Sequence, residues 1–120
     1  MSGPPSPWFY IGCGSAALSV CLGAFGAHGL RAKGISTEQL KIWETATHYH
    51  MSHSVGLIIA AQTLGRNRFN WSAALFSAGI VLFSGSLYAL VLSDQKWLGA
   101  VTPVGGLAFI GAWGLLALAK

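Results

Sequence analysis

The residues in this chain whose types and spacing suit chemistry are four histidines: His28, His48, His50 and His53. Three of them crowd one short stretch, ATHYHMSHS, from Ala46 to Ser54. Imidazole ligates zinc and also carries protons near neutral pH, so the stretch raises a metal centre and a proton path together. Helical geometry sorts the candidates. At about 100° per residue, His50 and His53 lie about 60° apart on one face, while His48 points about 160° from His50 and about 140° from His53. One helix therefore offers one metal at most two of the three. His50 and His53 form that pair, and His28, at the end of an earlier helix on the same side, is the candidate third ligand. The bland alternative is that the imidazoles sit at a membrane interface and satisfy backbone or serine groups.

The other signatures of a reactive centre are missing. The chain holds no HExxH, no CxxC and no acidic cluster. Glu44 stands one turn before His48, placed for a helical pair with it or with Lys41. No acid is placed to orient a histidine beside a serine, so nucleophilic catalysis has no constellation. Gly12-x-Gly14 and Gly105-Gly106 lie within or at the start of apolar runs, which fits helix packing rather than phosphate binding. The expectation is a chain without catalytic residues and without a cofactor.

The elements that carry these residues are written in the composition. The 120 residues suit one domain. Hydrophobic residues make up 53% and charged residues 8%, where about 25% charged is usual in soluble domains. Mean hydropathy is +0.58. Most of the surface is therefore expected to face lipid. The formal net charge of +4 is scattered through short loops and forms no patch for nucleic acid.

Four apolar segments follow in order. The first, Trp8 to Leu30, has no acid, lysine or arginine, and about 23 residues cross a ~30 Å hydrocarbon core. The tail before it has no Lys or Arg for a secretory n-region or a transit peptide, so this run is read as a retained membrane helix. The second run, Met51 to Leu64, is short, but a capping box at Ser36 and Gln39 predicts a helix that begins much earlier. From there to Leu64 the helix is about 42 Å long, so its first turns are expected to project into the interface or water. Gly65-Arg66-Asn67-Arg68 reads as a tight basic turn. Phe69 to Leu92 is the third run, closed by Ser93-Asp94-Gln95-Lys96. Thr102-Pro103 opens the fourth, with Thr102 as the N-cap. The expected spans are 8–30, 50–65, 69–92 and 103–119, with an interfacial amphipathic helix over 37–49.

Cys13 and Cys21 lie on one helix about 12 Å apart, beyond the reach of a disulfide. Trp8, Phe9, Tyr10, Trp71 and Trp97 sit near helix ends, as in an interfacial belt. An even span count puts both termini on one side. Arg66, Arg68 and Lys120 then face Arg31, Lys33, Lys41 and Lys96, a balance that sets no orientation. Small residues mark candidate packing faces: Ser15, Ser19, Gly23 and Ala27 at four-residue steps, and Gly105, Ala108, Gly111 and Gly114 at three-residue steps. Such faces serve bundle packing or a partner helix or lipid.

LGAFGAHGL (Leu22–Leu30), WETATHYHMSH (Trp43–His53), LFSGSLYAL (Leu82–Leu90) and VTPVGGLAFIGAW (Val101–Trp113) together resemble the YgdD and transmembrane-protein-256 family. These are small membrane proteins of bacteria and mitochondria with a domain of unknown function. The resemblance covers nearly the whole chain. It implies four spans and an inner-membrane location, and it brings no activity or cofactor. It selects His28 and His53 among the histidines and implies that they are cross-helix neighbours.

The combined expectation is an all-α, integral membrane four-helix bundle with an amphipathic extension at the start of the second helix. Its role is non-catalytic: a structural or accessory component packing against lipids and against other membrane protein subunits or a second copy, with a respiratory complex as one candidate partner. The alternative is histidine-dependent metal or proton-linked transport, with His28, His50 and His53 as the candidate metal residues. The location is an energy-transducing inner membrane, mitochondrial in a eukaryote and the plasma membrane in a bacterium.

Overall fold

The computed structural model describes residues 3–64 and 68–119. Most of the turn expected at Gly65-Arg66-Asn67-Arg68, and Lys120, lie outside them. Helix α1 is Pro7–Leu30. It is α-helical over Pro7–Ala24 and widens into a π-helical stretch over Phe25–Leu30. Pro7 sits in its first turn, where the missing amide costs no hydrogen bond. Helix α2 is Thr37–Thr63. The predicted cap is present: the Gln39 amide donates to Ser36 Oγ at 3.2 Å.

Helix α3 is Trp71–Ser93, with a second wide stretch over Ile80–Gly85. Asn70 joins it to α2, accepting from the Ala73 amide at 2.9 Å and donating to the Ala60 carbonyl at 3.1 Å. Asp94 ends α3 in the left-handed region, φ 57°. A 3₁₀ turn, Lys96–Ala100, leads into α4, Thr102–Ala117. Thr102 does not cap α4. The 3₁₀ turn leaves Val101 already helical, and the Thr102 hydroxyl instead meets Ser86 Oγ at 2.6 Å.

Three helical segments are long and apolar enough to cross a membrane: Pro7–Leu30, Trp71–Ser93 and Lys96–Ala117. Helix α2 is not one of them, yet it occupies the centre of the molecule. It runs without a break, so residues 37–49 are not a separate interfacial helix. The reason is packing. Trp43, 2% exposed, lies over Gly26 of α1, at a position where any Cβ would meet the indole. Its Nε1 donates to the Leu22 carbonyl at 2.7 Å, next to the wide stretch of α1. From α3, Ser84 Oγ donates to the Ala46 carbonyl at 2.7 Å. From Trp43 onward α2 is thus clasped from two sides, while Thr37, Glu38 and Lys41 before it stay exposed.

Helix α1 lies antiparallel along α2, and α4 packs chiefly on α3. The Cα extents of 50 × 26 × 17 Å describe a flattened arrangement. The buried face of α2 repeats every seven residues: Trp43, His50 and Leu57 form one row, and Ala46, His53 and Ala60 a second. This is the a/d pattern of left-handed helix packing. One apolar cluster gathers around Leu57, Phe76 and Phe109 and another around Leu30, Trp43 and Val91. The histidine row falls between them.

The small-residue faces follow the same rule. On α1 the buried positions are Gly12, Ser19, Gly26 and Leu30, not Gly23 or Ala27. On α4 they are Gly105, Phe109 and Ala112, and Gly114 faces open space. Steps of four or three residues drift by about 40° or 60° per step around a 3.6-residue helix, so only alternating steps stay on one face. Gly105 packs directly on the backbone of Leu82 and Phe83, with no room for a Cβ.

Outward faces are apolar: Val20 on α1, Val81 on α3, and Leu107 and Ile110 on α4 are each at least 60% exposed. Cys13 and Cys21 are free, as their spacing requires, and both are exposed.

Candidate functional site

The middle row of α2 makes a polar layer inside an otherwise apolar molecule. His50 is 3% exposed and touches both flanking helices. Its Nδ1 lies 2.9 Å from the Tyr88 hydroxyl on α3, and its Nε2 lies 3.0 Å from Ser15 Oγ on α1. Ser15 Oγ lies 2.6 Å from Ser54 Oγ, and Ser54 Oγ lies 2.7 Å from the His50 carbonyl.

With His50 neutral, donor counting gives the direction of every bond. A carbonyl only accepts, so Ser54 donates to it. The Ser54 proton is then occupied, and Ser15 must donate to Ser54. The Ser15 proton is occupied in turn, so His50 Nε2–H donates to Ser15. A neutral imidazole has one N–H, which leaves Nδ1 to accept from Tyr88. The chain Tyr88→His50→Ser15→Ser54 returns to the backbone of His50 itself, with one tautomer and one polarity.

His53 turns elsewhere. Its Nδ1–H donates to the Tyr49 carbonyl of its own helix at 2.8 Å. Its ring stacks on Phe109 of α4, with centroids 3.6 Å apart and planes 13° apart. The helical pair predicted for one metal is therefore divided between neighbours: His50 bonds to α1 and α3, His53 stacks against α4. A small difference in direction at the Cα, carried outward by the ring, is enough to separate them.

His28 joins neither. It is exposed in the wide stretch of α1. The pairings Gly12 with Ile58 and Gly26 with Trp43 set the antiparallel register. That register brings His28 level with Lys41, about 18 Å along the axis from His53. The expected cross-helix contact of His28 and His53 is thus not made. His48 is exposed. Among the described residues no three His, Cys, Asp or Glu side chains converge as a metal site. The histidine pair also lies away from both ends of α1. Ser15, the partner of His50, stands about 12 Å from the Pro7 end of α1 and about 22 Å from its Leu30 end.

A cavity of about 470 Å³ opens beside the layer. Helices α1 and α3 form its walls and α2 its floor. Ile11, Leu18, Leu22 and Val81 line it, with Ser15, His50, Ser77 and Tyr88 as its polar members. Sequence reasoning did not single out Tyr88 or Ser54. The seven-residue spacing of Trp43, His50 and Leu57 is the signal that places His50 on the buried row, where partners from two helices are required.

Polar side chains inside and apolar side chains outside, on helices of this length, define an all-α membrane protein. Residues 22–106 match the family described as "Protein of unknown function (DUF423)", and the chain belongs to that family. It is similar to the UPF0382 membrane protein SAB0533 of Staphylococcus aureus (strain bovine RF122 / ET3-1), 47% identical over 111 residues that cover 91% of this chain and 90% of the relative. It is also similar to the UPF0382 membrane protein YwdK of Bacillus subtilis (strain 168), 45% identical over 113 residues and 91% of each chain. No solved structure matches it.

Proposed function

We propose that this chain is a non-catalytic, four-span protein of a bacterial plasma membrane that acts as an accessory component, packing its apolar faces against other membrane protein subunits. The observation that carries the reading is the use made of the buried polar groups. They are consumed in clasping helices to one another: Trp43 to α1, Ser84 to α2, and His50 to both α1 and α3. Ser72 on α3 likewise donates to the Ala112 carbonyl of α4 at 2.8 Å. In lipid, hydrogen bonds and close packing are what hold helices together. A polar layer in a heptad core fixes register, which is a structural task.

The fourth span is α2. Its support is the long antiparallel contact with α1, from Ile58 opposite Gly12 to Trp43 opposite Gly26, which carries α2 through the same depth. Bacterial relatives favour the plasma membrane over a mitochondrial one. The transport alternative meets two obstacles. A proton chain that ends on a backbone carbonyl has no onward acceptor, and the three candidate metal histidines stand apart.

Two measurements test the proposal. Reporter fusions at the two ends are expected to report the same side of the membrane; opposite sides would remove the fourth span. Gentle solubilisation of the native membrane, followed by native electrophoresis and mass spectrometry, is expected to find the chain with stoichiometric membrane subunits. A lone monomer under every mild detergent would overturn the accessory role.

A further inference from the structure

The cavity between α1 and α3 has a chemistry that selects its occupant. Its residues on α1 run from Ile11 to Leu22, a length of about 17 Å at 1.5 Å per residue. That shape takes one extended alkyl chain. No charged residue lines it, so a phosphate, ammonium or carboxylate head would be stranded in an apolar wall.

The polar members set the head group. All their protons are already in use. Tyr88 donates to His50, His50 to Ser15, Ser15 to Ser54, and Ser77 donates to the Ala73 carbonyl at 3.0 Å. Among the described residues nothing donates to the hydroxyl oxygens of Tyr88 or Ser77, and both keep free lone pairs. The cavity thus offers acceptors and withholds donors. A carbonyl or ether head finds no proton there unless the chain of four bonds breaks. A hydroxyl head supplies its own.

We infer that the groove between α1 and α3 binds a neutral, single-chain membrane lipid whose head is a hydroxyl. The head donates to Tyr88 Oη, and the chain lies along Leu22, Leu18 and Ile11. The site rests on α2 crossing the bilayer, which the terminal reporters test separately. It does not depend on any partner subunit.

The experiment uses the full chain in lipid nanodiscs and a hexadecanol analogue carrying a mid-chain diazirine. Photolabelling mapped by mass spectrometry is expected on the α1 and α3 walls. Unlabelled 1-hexadecanol is expected to displace the probe at a mole fraction about tenfold lower than its methyl ether, the discrimination one hydrogen bond provides. Tyr88→Phe combined with His50→Leu, which removes the phenol oxygen and the Nδ1 acceptor it would otherwise leave bare, brings the two competitors to parity. Gly14→Leu, at a wall position with open space around it, fills the groove and abolishes labelling in a folded protein. Equal displacement by alcohol and ether in the unsubstituted chain overturns the inference, as does labelling spread over the outward face of α4. Both readouts on the unsubstituted chain stand whether or not a variant folds.

Discussion

Helix α4 carries no charged residue and presents Val104, Leu107 and Ile110 outward. Helix α2 carries Glu38, Lys41, Glu44 and three histidines, yet its Trp43, Ala46, Leu57 and Ala60 rows are closed off by neighbours on both sides. In water the order would be reversed, because exposed apolar area costs about 25 cal/mol per Å². In lipid that penalty vanishes for α4, and the polar backbone and side chains of α2 are what need cover. In this molecule apolarity marks a helix that can stand at the edge. Polarity marks the one that must be held.

Substitutions on the two helices test that contrast, and the largest effect is expected where α4 touches α3. Gly105→Val puts a side chain against the Phe83 amide and the Leu82 carbonyl carbon. Backbone cannot swing aside, so a loss of about 3 kcal/mol or more is expected, read as the disappearance of folded protein in a detergent melt. Recovery of a native melting curve would mean that α4 does not pack as described.

On α2, His50→Ala removes the partner of both Tyr88 and Ser15 and is expected to cost about 2 kcal/mol. The exposed His48→Ala is the internal control. If both variants unfold alike in an SDS titration, the polar layer has no energetic role. A smaller effect is expected from Ser84→Ala, which removes a single bond to the Ala46 carbonyl. About 1 kcal/mol is the expected loss, measured in the same titration. The smallest belongs to the outward face of α4: Leu107→Ala is expected to fall within about 0.5 kcal/mol of the parent chain in bicelles. A large loss there would show that this face is covered by something other than lipid.

Much of this architecture is legible in the sequence. Runs without charge locate α1, α3 and α4, and Ser36 with Gln39 marks the start of α2. Other features are hidden for definite reasons. The wide stretches at Phe25–Leu30 and Ile80–Gly85 have no composition of their own; each lies where a neighbouring helix comes close, Trp43 at Gly26 and Gly105 at Leu82 and Phe83. The small-residue faces are misread when a fixed step of three or four is projected along a 3.6-residue turn. The burial of His50 and His53 escapes notice because charge near the start of α2 suggests exposure, while Trp43 settles over Gly26 on the same buried face. Their pairing is misread because helical angle alone says nothing about which neighbour each ring meets. Tyr88 escapes notice because its partner lies 38 positions away in the chain.

The clasp of Trp43 over Gly26 bears on how such a chain is made. On the four-span reading, α2 is too polar to partition into a bilayer alone, and its Glu38, Lys41 and Glu44 would each resist entry. Helix α1 emerges first and has the apolarity to enter unaided. Only the short segment from Arg31 to Ser36 separates the two, and their antiparallel contact buries the Trp43 indole N–H on the Leu22 carbonyl. On that same four-span reading, the second helix enters as half of a hairpin, carried by the first.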